Sequence, residues 1–141
     1  MTKDLEQLRH ATRVLKEQAM RRYRQALQER AALDSELAEI DEMRKLGQRE
    51  NASLHARQSI GADTLWNGWM LQRRLEILQK TALCRAKEED RRDAAKRAFS
   101  RDLALQEIIQ DAKTEREKGE AQKEAVRTDA LVLMQRSLFR D

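Results

Sequence analysis

The sequence is most unusual for what it lacks. It has no proline in 141 residues, where average usage of about 5% would give about seven. It has only 4 glycines, and aromatic residues make up 4% of the chain. Sandwiches, barrels and βαβ folds need turn residues and β-branched runs, so these shortages exclude them. The sequence therefore predicts an all-α protein.

Long apolar runs are also missing. The longest run spans the five residues 130–134, far short of the roughly 20 that cross a bilayer. The N-terminus lacks the apolar h-region of a secretory signal. The single cysteine, Cys84, has no partner for an internal disulfide, which fits a reducing compartment. We expect a cytoplasmic protein that does not insert into the membrane.

Charge and helix-forming residues dominate what is present. Ala, Glu, Lys, Leu and Arg account for 81 of the 141 residues, a composition typical of coiled coils. The 29 basic and 25 acidic residues leave a net charge of only +4, and both signs are mixed along the chain. Nucleic-acid-binding surfaces segregate positive charge, so the even mixing argues against an RNA- or DNA-binding rod.

The first part of the chain has an apolar repeat of helical spacing. From residue 3 to about 46 there is neither proline nor glycine, and steps of four and three alternate, as in a heptad. One four-four step around Ala19 predicts a stutter, and Arg30 interrupts the stripe. The predicted seam residues are Leu8, Thr12, Leu15, Ala19, Tyr23, Ala26, Leu33, Leu37 and Ile40.

A break follows, rich in Gly, Ser and Asn. The favoured reversal is Ser59–Asp63, with Gly61 at positive φ and Asp63 or Thr64 capping the next helix. Gly47 could instead end the first helix earlier. We predict one coiled-coil domain over 1–141, with helix one at about 3–57, a turn at about 58–63 and helix two at about 64–138.

The second part repeats the stripe with gaps. The charged stretch 85–97 predicts either close but weak packing or an exposed section. Gly119 could kink or end the helix, but the pattern resumes at 126–138, which favours continuity. The predicted seam residues are Leu71, Leu75, Leu78, Ala82, Phe99, Leu103, Ile109, Ala112, Val126, Ala130 and Leu133.

Two long amphipathic helices joined by a short turn bury their stripes by folding back on each other. The expected fold is a long antiparallel two-helix coiled-coil hairpin, rod-shaped, with Ile40 near Lys80 and Leu5 near Glu115. Helix two then extends about 20 to 25 residues beyond helix one, because both helices rise equally per residue. Its apolar end either docks on another molecule or frays.

No residue pattern indicates catalysis. His10 and His55 lie in no Glu-x-x-His motif, Cys84 lacks a metal-ligand companion, and no phosphate-binding Gly-x-x-x-x-Gly-Lys motif occurs. We therefore expect no enzyme activity, no metal and no cofactor.

Both tryptophans lie beside the predicted turn, at Trp66 and Trp69. Their spacing of three places them on one helical face. They could pack against Leu54 and Ile60 at the tip of the hairpin, and this is favoured because large aromatic side chains are mostly buried. Alternatively, they could form a docking site for a partner.

The most distinctive part of the sequence is the segment from Gly61 to Leu71, which begins Gly-Ala-Asp-Thr-Leu-Trp and is followed by a long charged helix with an apolar end at 124–139. With the heptad helix that precedes it, this pattern resembles the FliJ-like stalk proteins of flagellar and other type III export ATPases. The resemblance implies a central stalk and activator whose terminal end enters a hexameric ATPase and whose hairpin end faces the membrane export gate. It also implies a cytoplasmic location, peripheral to the inner-membrane export apparatus.

The partners implied are the export ATPase, the cytoplasmic domain of a gate protein, and export chaperones. Hairpin geometry selects the gate-contact candidates Leu65, Trp66 and Trp69. It selects as ATPase-contact candidates Leu5, Leu8, Leu131, Met134, Arg136, Leu138 and Phe139. The alternative is a generic cytosolic coiled-coil scaffold or adaptor that forms a homodimer through the same seams.

Overall fold

The structure is a computed structural model that describes residues 2–51 and 60–140. It has two long helices that pack against each other, and the described residues contain no strand. Helix α1 is Thr2–Asn51, with the acidic Asp4 in its first turn and the basic Arg49 in its last. Both charges suit the helix dipole. Helix α2 is Ile60–Leu138 and runs through Gly119 without interruption. The predicted all-α two-helix hairpin is confirmed.

Two compact units can be distinguished by their contacts. The first unit consists of Met1–Val14 with Phe99–Asp141, and the second unit is Leu15–Ala98. In the second unit Glu29 contacts Lys87 and Asp41 contacts Arg74, so numbers rise on α1 as they fall on α2. The two helices of this unit are therefore antiparallel.

The start of α2 differs from the prediction. Residues 60–63 are already helical, so α2 begins about four residues before the predicted start at 64. Gly61 accordingly does not make the predicted reversal, since no described glycine has a positive φ. Helix ends depend on local context that composition does not resolve. The end of helix one at 57 and the first residues of the predicted turn lie outside the described residues.

The core of the second unit is small. Met70 and Ile77 are fully buried and pack with Ile40, while Leu33 and Leu37 of α1 lie against this cluster. Ala26 is also buried. Most of the seam predicted for α1 is therefore correct, because apolar residues at heptad spacing do face α2.

The predicted stutter in α1 is wrong. Leu8 and Leu15 are 52% and 54% exposed, whereas Lys16 is half-buried. With Lys16 in place of Leu15, the steps of three and four continue unbroken through Ala19 and Tyr23. A lysine can occupy such a position because its aliphatic stem packs while its ammonium group reaches water.

The predicted seam of α2 is out of phase by one residue from Leu71 to Leu103. Leu71, Leu75 and Leu78 are 48%, 61% and 38% exposed, and Ala82 is exposed as well. The positions that face α1 precede them by one residue: Met70, Arg74, Ile77 and Thr81.

The same shift occurs in the first unit. Phe99 and Leu103 are exposed, and Asp102 is buried in place of Leu103. Further along, Ile109 and Ala112 are half-buried as predicted. The predicted seam thus returns to the correct phase only near the point where α1 begins.

The charged stretch 85–97 packs closely. Ala95 is 4% exposed, and the Glu88 side chain keeps only 16% of its surface exposed. Of the two expectations for this stretch, close packing is the one observed.

No helix within the described residues has the length and apolar content required to span a membrane.

Candidate functional site

Ion pairs across the two helices define the second unit. The Arg30 guanidinium donates from Nη1 to both carboxylate oxygens of Glu88, each at 3.0 Å. This hydrogen bond, together with the charge of Glu88, raises the pKa of Arg30. Asp41 accepts a hydrogen bond from Arg74 Nε at 3.0 Å. These charged groups pair with each other across the two helices and so contribute to holding the helices together.

A second cluster lies around Arg73. Its Nε donates to Glu36 at 3.0 Å and its Nη1 donates to Glu76 at 3.2 Å. The hydrogen bond to Glu36 is the main cause that raises the pKa of Arg73. Sequence reasoning placed none of these groups in a site, because charge at heptad flanks is ordinary in coiled coils.

Within the first unit the helices meet at a polar position. Asp102 is 2% exposed, and the Thr12 hydroxyl donates to its Oδ1 at 3.3 Å. Gln106 donates to its other oxygen at 3.2 Å. The predicted register placed Thr12 near residue 108, so the observed alignment differs by about six residues.

This alignment fixes where α1 stops covering α2. Counting back from the Thr12–Asp102 contact at equal rise, Thr2 lies level with about residue 112. Every described side chain from 120 to 140 is exposed. We call residues 120–138 the C-terminal segment; it extends helix α2 without α1 beside it, and the predicted overhang of helix two is confirmed.

The ATPase-contact candidates all belong to the first unit. Leu5 is half-buried and Leu8 half-exposed on α1. The candidates on the C-terminal segment and just beyond it are far more open: Leu131 and Met134 at 65%, Leu138 at 78%, Phe139 at 84%, and exposed Arg136. Among these candidates, the exposed apolar area is therefore concentrated at the end of α2.

The gate-contact candidates lie near the start of α2. Trp66 and Trp69 are 49% and 52% exposed, and their rings stack on each other with centroids 5.2 Å apart and planes inclined by 21°. Leu65 is 78% exposed. The proposed plug partners, Leu54 and Ile60, lie outside the side chains that the structure describes. The indoles thus present a paired aromatic surface of the kind enriched in binding sites.

Sequence reasoning missed one surface altogether. The leucine stripe, formed by Leu71, Leu75 and Leu78 with Ala82, was assigned to the seam but is exposed. The available signal was the charge complement between the helices, because Arg74 one position away has an acidic partner on α1. A stripe of this kind, left open on a helix pair, is a candidate binding surface.

A shallow apolar groove lies on α1 and α2 in the second unit. It measures about 490 Å³ and is lined partly by Leu33, Leu83 and Cys84. Cys84 is a half-buried free thiol.

Within residues 2–51 and 60–140, no three His, Cys, Asp or Glu side chains are grouped so that they could hold a metal ion.

Comparison with models of known protein families, with curated proteins and with solved structures found no match for this chain.

Proposed function

We propose that this protein is the stalk and activator of a type III or flagellar protein-export ATPase. The observation that carries the proposal is the C-terminal segment, a helical extension beyond α1 with large apolar side chains in water. Such a surface is typical of a protein that is covered by a partner. The likeness of the Gly61–Leu71 segment to FliJ-like stalks supplies the identity of that partner.

In this proposal the first unit binds a hexameric ATPase. Leu131, Met134, Leu138 and Phe139 insert into the ring together with Leu5 and Leu8, and Arg136 contributes charge. The protein works as a non-catalytic shaft at the inner-membrane export apparatus, on the cytoplasmic side. Leu65 and the stacked indoles of Trp66 and Trp69 would bind the cytoplasmic domain of the export gate, and export chaperones are further partners.

The test is to mix the purified protein with the cognate ATPase. We expect faster ATP hydrolysis and more hexamer, and we expect Leu131→Asp to reduce both by placing a charge in an apolar contact. Leu83→Asp is the matched control, since Leu83 is 73% exposed on the second unit. Unchanged hydrolysis and assembly with the native protein, or an equal loss with the control, would reject the proposal.

The leucine stripe favours a second candidate function, a coiled-coil scaffold or adaptor. The stripe lies in the second unit, which contains none of the ring contacts proposed above. A scaffold would bind its target through these leucines, so Leu75→Asp would abolish binding of that target and leave ATPase stimulation unchanged. If Leu75→Asp alters no interaction of the protein while Leu131→Asp does, the adaptor reading fails.

A further inference from the structure

The C-terminal segment continues the heptad spacing of the seam although α1 does not cover it. Steps of three and four from Ile109 and Ala112 lead to Val126, Ala130 and Leu133, and then to Ser137. All four of these last positions are exposed. The segment therefore carries a ready seam for another helix, widened on one side by Leu131, Met134 and Leu138.

The hairpin itself shows which flanking residues meet across an antiparallel seam in this chain. Glu29 precedes the seam residue Arg30, Lys87 precedes the seam residue Glu88, and these two flanking residues form an ion pair at 3.2 Å. Arg73 and Glu36 also precede seam residues and pair across the helices, in an alignment that differs by one heptad from that of Glu29 and Lys87. In each case the residue just before a seam position on one helix meets its counterpart on the other.

The C-terminal segment satisfies this rule against a copy of itself. Asp129 precedes the seam residue Ala130, and Arg136 precedes the seam residue Ser137. When two copies are laid antiparallel, Asp129 of each lies opposite Arg136 of the other, and both ion pairs form at once by the two-fold symmetry. Within the described residues neither side chain forms an ion pair in the single chain.

The apolar layers agree with the same alignment. Ala130 then faces Leu133 of the second copy, and Val126 faces Ser137, so each large residue meets a small one. A shift by one heptad in one direction brings Asp129 against its own copy, and a shift in the other direction brings Arg136 against its own copy. When the flanking residues align as Glu29 and Lys87 do, like charges in contact disfavour both shifts.

We propose that the C-terminal segment is a self-association site, at which a second copy of this chain binds antiparallel through residues 126–137. The paired stretch is about 18 Å long, counted at the helical rise. We expect so short a stretch to bury less than the roughly 1,000 Å² typical of stable interfaces, and therefore expect a weak dimer that forms reversibly with concentration. The proposal does not depend on the export-ATPase assignment, although both use the same segment.

The experiment is sedimentation of the full chain from about 1 µM to about 1 mM, a range suited to weak association. The native protein shifts from monomer to dimer with rising concentration. Asp129→Arg and Arg136→Asp each weaken dimerisation by about tenfold or more, because two attractive contacts become two repulsive ones. The double variant carrying both reversals associates like the native protein.

Two controls make the result specific. Glu117→Arg makes the same change of charge as Asp129→Arg on an exposed position of α2 outside the paired stretch, and it leaves dimerisation unchanged. Circular dichroism confirms that every variant is as helical as the native chain. A native protein that remains monomeric throughout, single reversals without effect, a double variant that does not recover, or an equal loss with Glu117→Arg overturns the proposal. ATPase stimulation is measured separately, so the two proposals fail independently.

Discussion

Polar and charged residues lie on the part of helix α2 that α1 covers, whereas large apolar residues lie on the part that α1 does not cover. The usual expectation is the reverse, with apolar residues at the helix interface. In the second unit the stretch that faces α1 includes Arg74, Thr81 and Glu88. The C-terminal segment, in contrast, exposes Leu131 and Leu133, each at 65%. Burial on α2 therefore requires α1 beside the residue, and apolar character alone does not predict it.

Hydrogen exchange gives the largest expected contrast between these two parts of α2. Amides of residues 70–98 are protected by packing and open mainly through global unfolding, whereas the C-terminal segment has only its own helical hydrogen bonds. We expect protection to be lower in the segment by on the order of 10²-fold or more.

The exchange measurement requires dilute protein, because self-association would add protection to the C-terminal segment. Equal protection of both stretches at the lowest concentration would mean that the segment is covered within the single chain. Such a result would remove the contrast on which both proposals depend.

Substitutions two residues apart sharpen the comparison within the second unit. Ile77→Ala removes a fully buried side chain and is expected to lower the free energy of unfolding by about 2–5 kcal/mol. Leu75→Ala, at a position that is 61% exposed, should cost less than about 1 kcal/mol. Urea denaturation measures both; a reversed order would show that α2 packs in the phase predicted from its leucines.

The smallest expected effect concerns the ion pairs. Glu88→Gln removes the carboxylate that accepts both hydrogen bonds from Arg30. We expect a modest loss of thermal stability, smaller than that caused by Ile77→Ala. The loss should decrease at high salt, because salt screens the native ion pair. Melting curves at low and high salt would measure it. A loss that is independent of salt would assign the contribution of Glu88 to packing instead of charge.

The main features of the fold could be predicted from the sequence because they depend on composition and spacing. The absence of proline and the heptad steps through Ala26, Leu33 and Ile40 were sufficient to assign α1 and its inner face. The length of helix two was sufficient to predict its overhang. Each of these depends on an average over many residues, so single exceptions do not alter it.

The phase of α2 could not be predicted in the same way. Two parallel stripes run along this helix one residue apart, and the more apolar one, with Leu71 and Leu75, is the exposed one. The choice between them depends on interhelical pairs such as Arg74 with Asp41, which become visible only when the register of both helices is known. The exposure of the tryptophans could not be predicted either. The rings of Trp66 and Trp69 stack on each other, and such a contact becomes visible only in the structure.

The buried carboxylate of Asp102 makes sliding of the helices costly. If α1 moved by one heptad in one direction, Asp102 would face the aliphatic side chain of Leu5 in place of the Thr12 hydroxyl. Movement in the other direction would set Glu88 against Leu37 instead of Arg30. A largely buried carboxylate that loses a hydrogen-bond donor from the facing helix is destabilised. A seam of uniform leucines would tolerate such steps, whereas this one resists longitudinal slip when either helix is pulled along its axis.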